Sequence, residues 1–260
     1  GNAEVIMVAG STHERLVNSQ SYGLSGTGSV SIPFGNVDAL ESAITDNTAA
    51  FFVETIQVES GVILPPPSYF DRVRSVCSQH NILLCLDEIQ TGLGRTGCLF
   101  SYERHGIRPD CVLVGKALGG GVMPVSAVLT NRDVIDGLHP CEYESAFGGN
   151  PMSSAVAAAA IDVVVNEGLC RRAEEIGTWL MESLQELDTP HVVDVRGAGL
   201  LVGIEISADA GPARDVCNAL LDKGILCREL HPQVVGFTPA LTIDQDDLEW
   251  CLGRLKEVLQ

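Results

Sequence analysis

The chain has 260 residues, of which 45% are hydrophobic and 19% charged, which is typical of a globular protein with a substantial core. Its 34 acidic and 16 basic residues give a formal net charge of −18, which argues against nucleic acid or an anionic membrane surface as a partner. The apolar runs are shorter than the roughly 20 residues needed to cross a bilayer. No positively charged stretch precedes an apolar core in the first residues of the sequence, so we expect no signal peptide. We therefore expect a cytoplasmic protein that spans no membrane.

The nine cysteines are odd in number and lie mostly inside apolar runs. The clearest cases are Cys85, Cys111, Cys217, Cys227 and Cys251. There is no CxxC pair and no compact disulfide framework, so free thiols in a reducing compartment are the simplest account. No cysteine stands in a recognisable nucleophile setting, and we predict no metal site.

In the first part of the chain, apolar runs of strand length alternate with helical patterns. The predicted strands are residues 4–9, 50–56, 82–86, 111–114 and 125–129. The predicted helices are residues 37–45 and 68–80, and the second is entered through three consecutive prolines. This alternation predicts an α/β domain with a mainly parallel sheet.

The second part of the chain has a different pattern. Asn150-Pro151 signals the start of a helix over residues 150–167. Beyond it we predict helices at residues 170–187, 213–223 and 241–259, and strands at 192–195, 200–206 and 234–237. The sequence therefore predicts a large α/β domain over residues 1–165 and a small C-terminal α+β domain over residues 166–260.

Two neighbouring predicted strands of the first domain end on opposite charges. One stops at Asp87, and the other stops one glycine before Lys116. Residues just past the carboxyl ends of parallel strands face the ligand crevice. Pyridoxal phosphate suits this pair, because its aldehyde forms a Schiff base with lysine and its protonated ring nitrogen pairs with a carboxylate. From the residues alone, a surface lysine beside a glycine turn and a strand-end cap are equally good accounts.

Four segments, in order along the chain, match a known family. They are VETIQVESGV (53–62), DEIQTGLGRTG (87–97), GKALGGG (115–121) and FGGNP (147–151), with weaker similarity through residues 195–201. Together they resemble the class III pyridoxal-phosphate-dependent aminotransferases, and their residues are most similar to those of the ornithine aminotransferase-like members. The resemblance implies the PLP-dependent transferase fold (aspartate aminotransferase-like, fold type I), pyridoxal 5'-phosphate as cofactor, and a homodimer.

The resemblance assigns roles to residues that follow the strands. Lys116 would form the Schiff base and move protons as a general acid/base, which requires a pKa lowered by burial or by nearby positive charge. Asp87 would hold the ring nitrogen, and Gln90 would hydrogen-bond the phenolic oxygen of the cofactor. Glu88 is the less certain neighbour and is expected to be structural. Arg95 is expected to anchor its loop by hydrogen bonds, with a substrate-facing role as the alternative.

Further candidates lie elsewhere in the chain. By resemblance, Glu54 lies near the substrate, and Glu59 matches a gating carboxylate that pairs with an arginine. His13 falls in a segment that matches an aromatic-His-Gly-Arg motif and is a candidate cofactor contact. A loop histidine with ordinary hydrogen bonds is the alternative for His13.

The chain departs from the family pattern in several places. The glycine-rich phosphate loop that precedes the His13 segment in the family does not appear, so the sequence looks N-terminally shortened. Thr12 stands where the family stacks an aromatic ring on the cofactor. Where the family has Ser-Thr before an aromatic residue, this chain has Ser145 and Ala146, which leaves these two as candidates near the phosphate. Gly236 stands where the family usually has the arginine that binds the substrate carboxylate.

The predicted function is that of a PLP-dependent aminotransferase in a biosynthetic pathway. Because Gly236 replaces the arginine, the expected substrate is a small-molecule or carrier-tethered amine that is poor in carboxylates. A lyase or decarboxylase on the same fold is one alternative, and a non-catalytic aminotransferase-like domain is another. A nucleotide-binding protein is disfavoured, because the chain has neither a G-x-G-x-x-G nor a P-loop signature.

Overall fold

The structure is a computed structural model that describes residues 3–11, 28–137, 145 and 147–260. The chain divides into two compact units. The first consists of Gly1–Thr55, Pro65–Leu93 and Ser101–Val164, and the second of Ile56–Leu64, Gly94–Phe100 and Val165–Gln260. Two short segments from the first hundred residues therefore belong to the second unit.

The first unit contains a six-stranded sheet. Its strands are β1 (Glu4–Val8), β2 (Gly28–Ile32), β3 (Thr48–Glu54), β4 (Leu83–Asp87), β5 (Cys111–Val114) and β6 (Ala127–Thr130). They are arranged in the order β2-β1-β3-β4-β5-β6. Strands β1 to β5 pair in parallel, and only β6 is antiparallel to its neighbour β5. The predicted mainly parallel sheet is confirmed, and the carboxyl ends of β3, β4 and β5 share one edge.

In the residues described, the first unit has four helices, of which the first two pack apolar side chains against the sheet. They are α1 (Val37–Ala43), α2 (Tyr69–Gln79), α3 (Arg132–Asp136) and most of α4 (Pro151–Asn166). Helix α1 begins at Asn36, whose side-chain oxygen accepts a hydrogen bond from the backbone N–H of Ala39 at 2.9 Å. Helix α2 contributes Phe70 and Val73 to a core that also contains Phe51 and Leu84.

The second unit is built on a four-stranded antiparallel sheet. Its strands are β7 (Val192–Ala198), β8 (Leu201–Ile206), β9 (Arg228–His231) and β10 (Val234–Phe237), in the order β7-β8-β10-β9. Its helices are α5 (Leu169–Gln185), α6 (Ala213–Asp222) and α7 (Gln245–Val258). Leu184, Ile204, Leu220 and Leu255 are buried in the core that these elements enclose.

Most predicted elements occur where the sequence placed them, but four differences have physical reasons. Strand β2 was missed because Gly28-Ser-Val-Ser-Ile has no apolar run and buries only Ile32. Strand β9 and helix α3 were missed because they have only four and five residues. Helix α7 begins after Asp244 rather than at residue 241, because the preceding residues form a turn in which Ile243 N–H donates to Ala240.

Helices α4 and α5 follow one another with two residues, Glu167 and Gly168, between them. In the part of the chain that the structure describes, no single helix is long and apolar enough to cross a membrane. The two helices meet that test only together, and they are bent by 61° at the break between them. Helix α5 buries one face, including Leu180 and Leu184, in the core of the second unit.

Candidate active site

Two buried carboxylates lie side by side where strands β3 and β4 end. Glu54 is the last residue of β3 and Asp87 is the last residue of β4, and the two are direct partners across the parallel ladder. Their residues are 5% and 8% exposed. Asp87 Oδ1 accepts a hydrogen bond from the backbone N–H of Ile89 at 2.7 Å, which fixes the orientation of its carboxylate. The end of β4 therefore presents a buried carboxylate in a fixed orientation.

Glu88, the next residue, anchors the loop that follows β4. Its carboxylate accepts hydrogen bonds from the backbone N–H of Ser101 at 3.1 Å and of Tyr102 at 2.9 Å. The hydroxyl of Thr91 donates to it as well, at 2.5 Å. Burial raises the pKa of Glu88 to about 7, although these hydrogen bonds favour the charged form. Glu88 is thus a structural carboxylate, as expected from the sequence.

Lys116 follows strand β5, the neighbour of β4. Leu113 of β5 is the ladder partner of Asp87, and Lys116 comes three residues later. Its backbone is left-handed, with a φ of 43°, and it begins a short 3-10 helix, Lys116–Gly119. The structure thus puts Asp87 at the end of β4 and Lys116 two residues beyond the end of β5, its parallel neighbour. The burial expected for Lys116 is not observed: it is exposed, because it begins a turn beyond the last residue of the strand.

The remaining cofactor candidates are less completely described. Gln90 is half-buried in the turn after β4, three residues beyond Asp87. Ser145 is exposed, and its carbonyl oxygen accepts the backbone N–H of Gly148 at 3.2 Å. His13, Thr12 and Ala146 lie outside the described residues, so the structure gives no position for them.

In the second unit, Arg228 contacts Glu59 and pairs with Gly236 across a strand ladder, and the sequence patterns did not single it out. Arg228 begins β9 and is the ladder partner of Gly236 on β10. Its Nη2 donates to Oε1 of Glu59 at 2.5 Å. Arg228 and Glu59 are 169 residues apart in sequence, so spacing could not have linked them. The two residues that connect β9 to β10, Pro232-Gln233, lack the glycine, asparagine or aspartate that marks such hairpins, so the sequence offered no clear signal for β9.

Arg95 holds the loop Gly94–Phe100 within the second unit. Its Nη1 donates to the carbonyl oxygens of Leu200 at 3.0 Å and of Pro239 at 2.5 Å. Burial lowers the pKa of Arg95. The backbone of this loop packs closely against Gly199, since a Cβ on Gly199 would lie 2.7 Å from the carbonyl oxygen of Arg95. These contacts agree with the anchoring role expected for Arg95.

The first unit fits the two ends of pyridoxal phosphate. A cofactor of this kind needs an amine that can bind its aldehyde and a fixed carboxylate for its ring nitrogen. Lys116 provides the amine and Asp87 the buried, hydrogen-bonded carboxylate, on adjacent strands of one parallel sheet. The fold and these two groups define an α/β protein of the PLP-dependent transferase class, fold type I.

Comparison with known proteins agrees with that class. The chain matches the Aminotransferase class-III family over residues 27–259. Ornithine aminotransferase of Brevibacillus brevis is 42% identical over 99% of this chain and 66% of its own length, and that of Bordetella pertussis is 44% identical over 100% and 65%. The ornithine aminotransferase structure of Toxoplasma gondii has a TM-score of 0.91 at 36% identity, covering 99% of this chain and 65% of that one. Acetylornithine aminotransferase from Elizabethkingia anophelis has a TM-score of 0.86 at 35% identity, with coverage of 99% and 65%.

The chain belongs to the class-III aminotransferase family, whose members use pyridoxal 5'-phosphate. It spans about two thirds of the length of the curated relatives it matches, between 65% and 66% for the two named above. The resemblance on which the sequence analysis rested is confirmed.

Proposed function

We propose that this chain carries the cofactor-binding core of a PLP-dependent aminotransferase. The placement of Asp87 at the end of β4 and of Lys116 two residues beyond the end of β5, in a chain of this family, is the observation that carries the proposal. A cofactor with an amine contact at one end and a carboxylate contact at the other would be served by this placement, and the register of β4 and β5 supports it.

Each residue would have a distinct task. Lys116 would hold the cofactor through its amine and then move a proton to and from the substrate carbon. Asp87, held by the N–H of Ile89, would keep the ring nitrogen protonated, and Gln90 would bind the phenolic oxygen. When bound, pyridoxal phosphate supplies a ring that withdraws the electron pair left on the substrate carbon. Glu54, buried beside Asp87, would make the electrostatic potential at the ring nitrogen more negative.

The relatives bear on the substrate. They are named ornithine and acetylornithine aminotransferases. We therefore propose a diamino acid of the ornithine type, or its acyl derivative, as amino donor, in place of the carrier-tethered or carboxylate-poor substrate expected from Gly236. Nothing among the relatives favours a lyase, a decarboxylase or a non-catalytic domain. The homodimer, the cytoplasmic location and the domain boundary near residue 165 stay predictions.

The test uses the fact that the chain has only three lysines, Lys116, Lys223 and Lys256. Protein incubated with pyridoxal phosphate should turn yellow, and borohydride should bleach the colour and fix the cofactor on one lysine. Peptide mass spectrometry should find the label on Lys116. The variant Lys116→Ala should stay colourless, whereas Lys223→Ala, which removes a lysine paired with Glu257, should load like the wild type.

A label on Lys223 or Lys256, or equal labelling of all three lysines, would contradict the proposal. For the substrate, the colour should change when ornithine is added. A loaded protein whose spectrum responds to no diamino acid would refute the proposed substrate while leaving the cofactor assignment in place.

A further inference from the structure

A cavity lies in the first unit, at the end of the sheet opposite to Asp87 and Lys116. It has a volume of about 410 Å³, and its wall includes Asp110, which precedes β5, and Thr130, which ends β6. Lys116 follows the other end of β5, and a strand of four residues is roughly 13 Å long. The cavity is therefore separate from the proposed cofactor site.

Arg74, on helix α2, forms part of the cavity wall and is held in place. Its Nη1 donates to Oδ2 of Asp110 at 2.7 Å and to the carbonyl oxygen of Arg108 at 3.3 Å, and its Nε donates to the hydroxyl of Ser78 at 3.1 Å. The side chains of Arg74 and Asp110 are only 21% and 25% exposed, so their ion pair is sheltered from water. Among the described residues, Nη2 of Arg74 has no hydrogen-bond partner, so its two N–H donors remain for a ligand.

Arg108 brings a second positive charge to the cavity wall, and this charge is not matched. In the part of the chain that the structure describes, Arg108 is the one arginine whose guanidinium forms no hydrogen bond or ion pair. This is unexpected on charge grounds, because the chain has 34 acidic residues and only 16 basic ones. The carboxylate of Asp110 already binds Arg74 and the backbone N–H of Leu84. An unmatched guanidinium in a cavity wall favours an anionic ligand.

Asn131 adds an amide donor, and apolar side chains complete the wall. Oδ1 of Asn131 accepts the backbone N–H of Val134 at 3.0 Å, so its Nδ2 group is left to donate. Val112 and Leu129 supply apolar surface to the same cavity, whose volume lies in the range of small-ligand sites. A ligand here would meet N–H donors of three side chains beside an apolar surface. That combination suits an anion with an organic body.

We propose that this cavity binds a small organic oxyanion, a phosphate ester or a carboxylate, through Arg108, Arg74 and Asn131. Arg108 supplies the charge that matches the anion. Arg74 adds donors whose orientation is already fixed by Asp110 and Ser78, so little further ordering is needed when the ligand binds. The inference goes beyond the proposed function, because the cavity shares no residue with the cofactor site and its ligand need not take part in transamination.

Probes that share a glycerol-like body test the site in the full chain: glycerol 3-phosphate, glycerate and uncharged glycerol. At least one of the two anions should show saturable binding in calorimetry, and glycerol should not bind. The tighter of the two anions then assigns the ligand as a phosphate ester or a carboxylate.

NMR of nitrogen-labelled protein locates the bound anion. The backbone N–H signals of Leu84 and Val134 should shift, because these groups donate to Asp110 and Asn131 in the cavity wall. Shifts confined to Ile89, at the proposed cofactor site, would place the anion elsewhere and overturn the inference.

Arg108→Gln should weaken binding of the anion by about 10- to 100-fold, the loss expected when one charge-assisted pair is removed. It should leave the fold intact, since no described contact depends on that guanidinium. The matched control is Arg132→Gln, which removes the same charge next to Asn131 from a side chain that is 90% exposed and does not line the cavity. This control should bind the anion like the wild type. Equal losses in the two variants, no loss in Arg108→Gln, or no saturable binding of either anion would each overturn the inference.

Asn131→Asp gives an independent check of the amide contact. The variant keeps an oxygen for the N–H of Val134, so helix α3 should still begin there, but it replaces the amide donors by a negative charge. Binding of the anion should therefore weaken by about 10-fold or more. Unchanged or tighter binding would show that the anion does not contact Asn131 and would contradict the proposed site.

Discussion

The two units differ in the side chains that hold several of their loops, although Arg74 of the first unit also donates to a backbone carbonyl, that of Arg108, at 3.3 Å. In the first unit, carboxylates accept hydrogen bonds from backbone N–H groups. Asp87 binds Ile89, Glu88 binds Ser101 and Tyr102, and Asp110 binds Leu84 at 2.8 Å. In the second unit, arginines donate to backbone carbonyls. Arg95 binds Leu200 and Pro239, Arg172 binds Ile243, and Arg196 binds Gly61 at 2.9 Å.

For Asp87, Glu88 and Arg95, the difference follows from the backbone groups that the strand ends leave unpaired. A parallel strand that ends in a turn leaves N–H groups that only an acceptor can satisfy, and carboxylates beyond the strands provide acceptors and negative charge together. The antiparallel sheet of the second unit leaves carbonyls at its connections, which a guanidinium reaches with several donors. Carboxylates can lose their charge in the physiological range, whereas arginines keep theirs. Glu88, whose pKa burial raises to about 7, should therefore give the first unit a pH response that the arginine–carbonyl contacts of the second unit do not share.

The largest expected effect comes from removing the carboxylate of Glu88. Glu88→Ala would leave two backbone N–H groups and the hydroxyl of Thr91 without their acceptor in a buried place. We expect a loss of about 4 kcal/mol in the free energy of unfolding. Denaturant titration would measure it. Glu103→Ala, in the exposed part of the same loop, should stay within about 0.5 kcal/mol, and equal losses would contradict the anchoring role.

The second effect is a pH dependence that belongs to the first unit. Burial raises the pKa of Glu88 from 4.5 to about 7, so its contribution to stability is fully present below pH 4.5 and is lost as the pH rises through about 7. The shift corresponds to on the order of 3 kcal/mol. The difference in unfolding free energy between the wild type and Glu88→Gln should change with that sign between these pH values. A difference that is constant with pH would show that Glu88 titrates normally.

A third, smaller effect tests the second unit. Arg95→Met keeps the apolar volume but removes the donor to two carbonyl oxygens, so we expect a loss of about 2 kcal/mol. Because the guanidinium stays charged, this loss should be the same at about pH 5 and about pH 8. Most of the range between the two pKa values of Glu88, 4.5 and about 7, lies between these conditions. Arg254→Met, which removes an exposed partner of Glu257, serves as the control and should leave the denaturation midpoint in place. A loss of unfolding free energy that varies with pH would contradict the proposed difference between the two units.

The smallest effect concerns an arginine of the first unit that binds no backbone group in the contacts described. Arg72 pairs with Asp38 at 2.7 Å, with side chains 57% and 83% exposed. Arg72→Ala should cost less than about 0.5 kcal/mol, since exposed ion pairs are weak. Thermal denaturation at low and high salt would measure it. A cost as large as that of Arg95→Met would mean that arginines matter equally in both units.

The sequence predicted those features of the fold and site that depend on residues close together along the chain. Buried parallel strands appear as apolar runs ended by a charge, so the placement of Asp87 and Lys116 was accessible. The hydrogen bonds of Glu88 were not, because its acceptor role depends on a loop that returns 13 and 14 residues later. Arg228 was missed because a four-residue strand with a single apolar residue has no distinct pattern, and its partner Glu59 is 169 residues away. Position 236 could be read as a lost arginine, but only the packing of Leu230 shows why glycine is there.

The left-handed backbone of Lys116 has a practical consequence for anyone engineering this chain. A side chain at a φ of 43° costs about 1–2 kcal/mol that glycine would not incur. Selection for heat resistance alone would therefore reward replacement of the single amine on which the proposed chemistry depends. A thermostabilised library should be sorted by cofactor colour as well as by melting temperature, because the most robust clones are expected to include inactive ones.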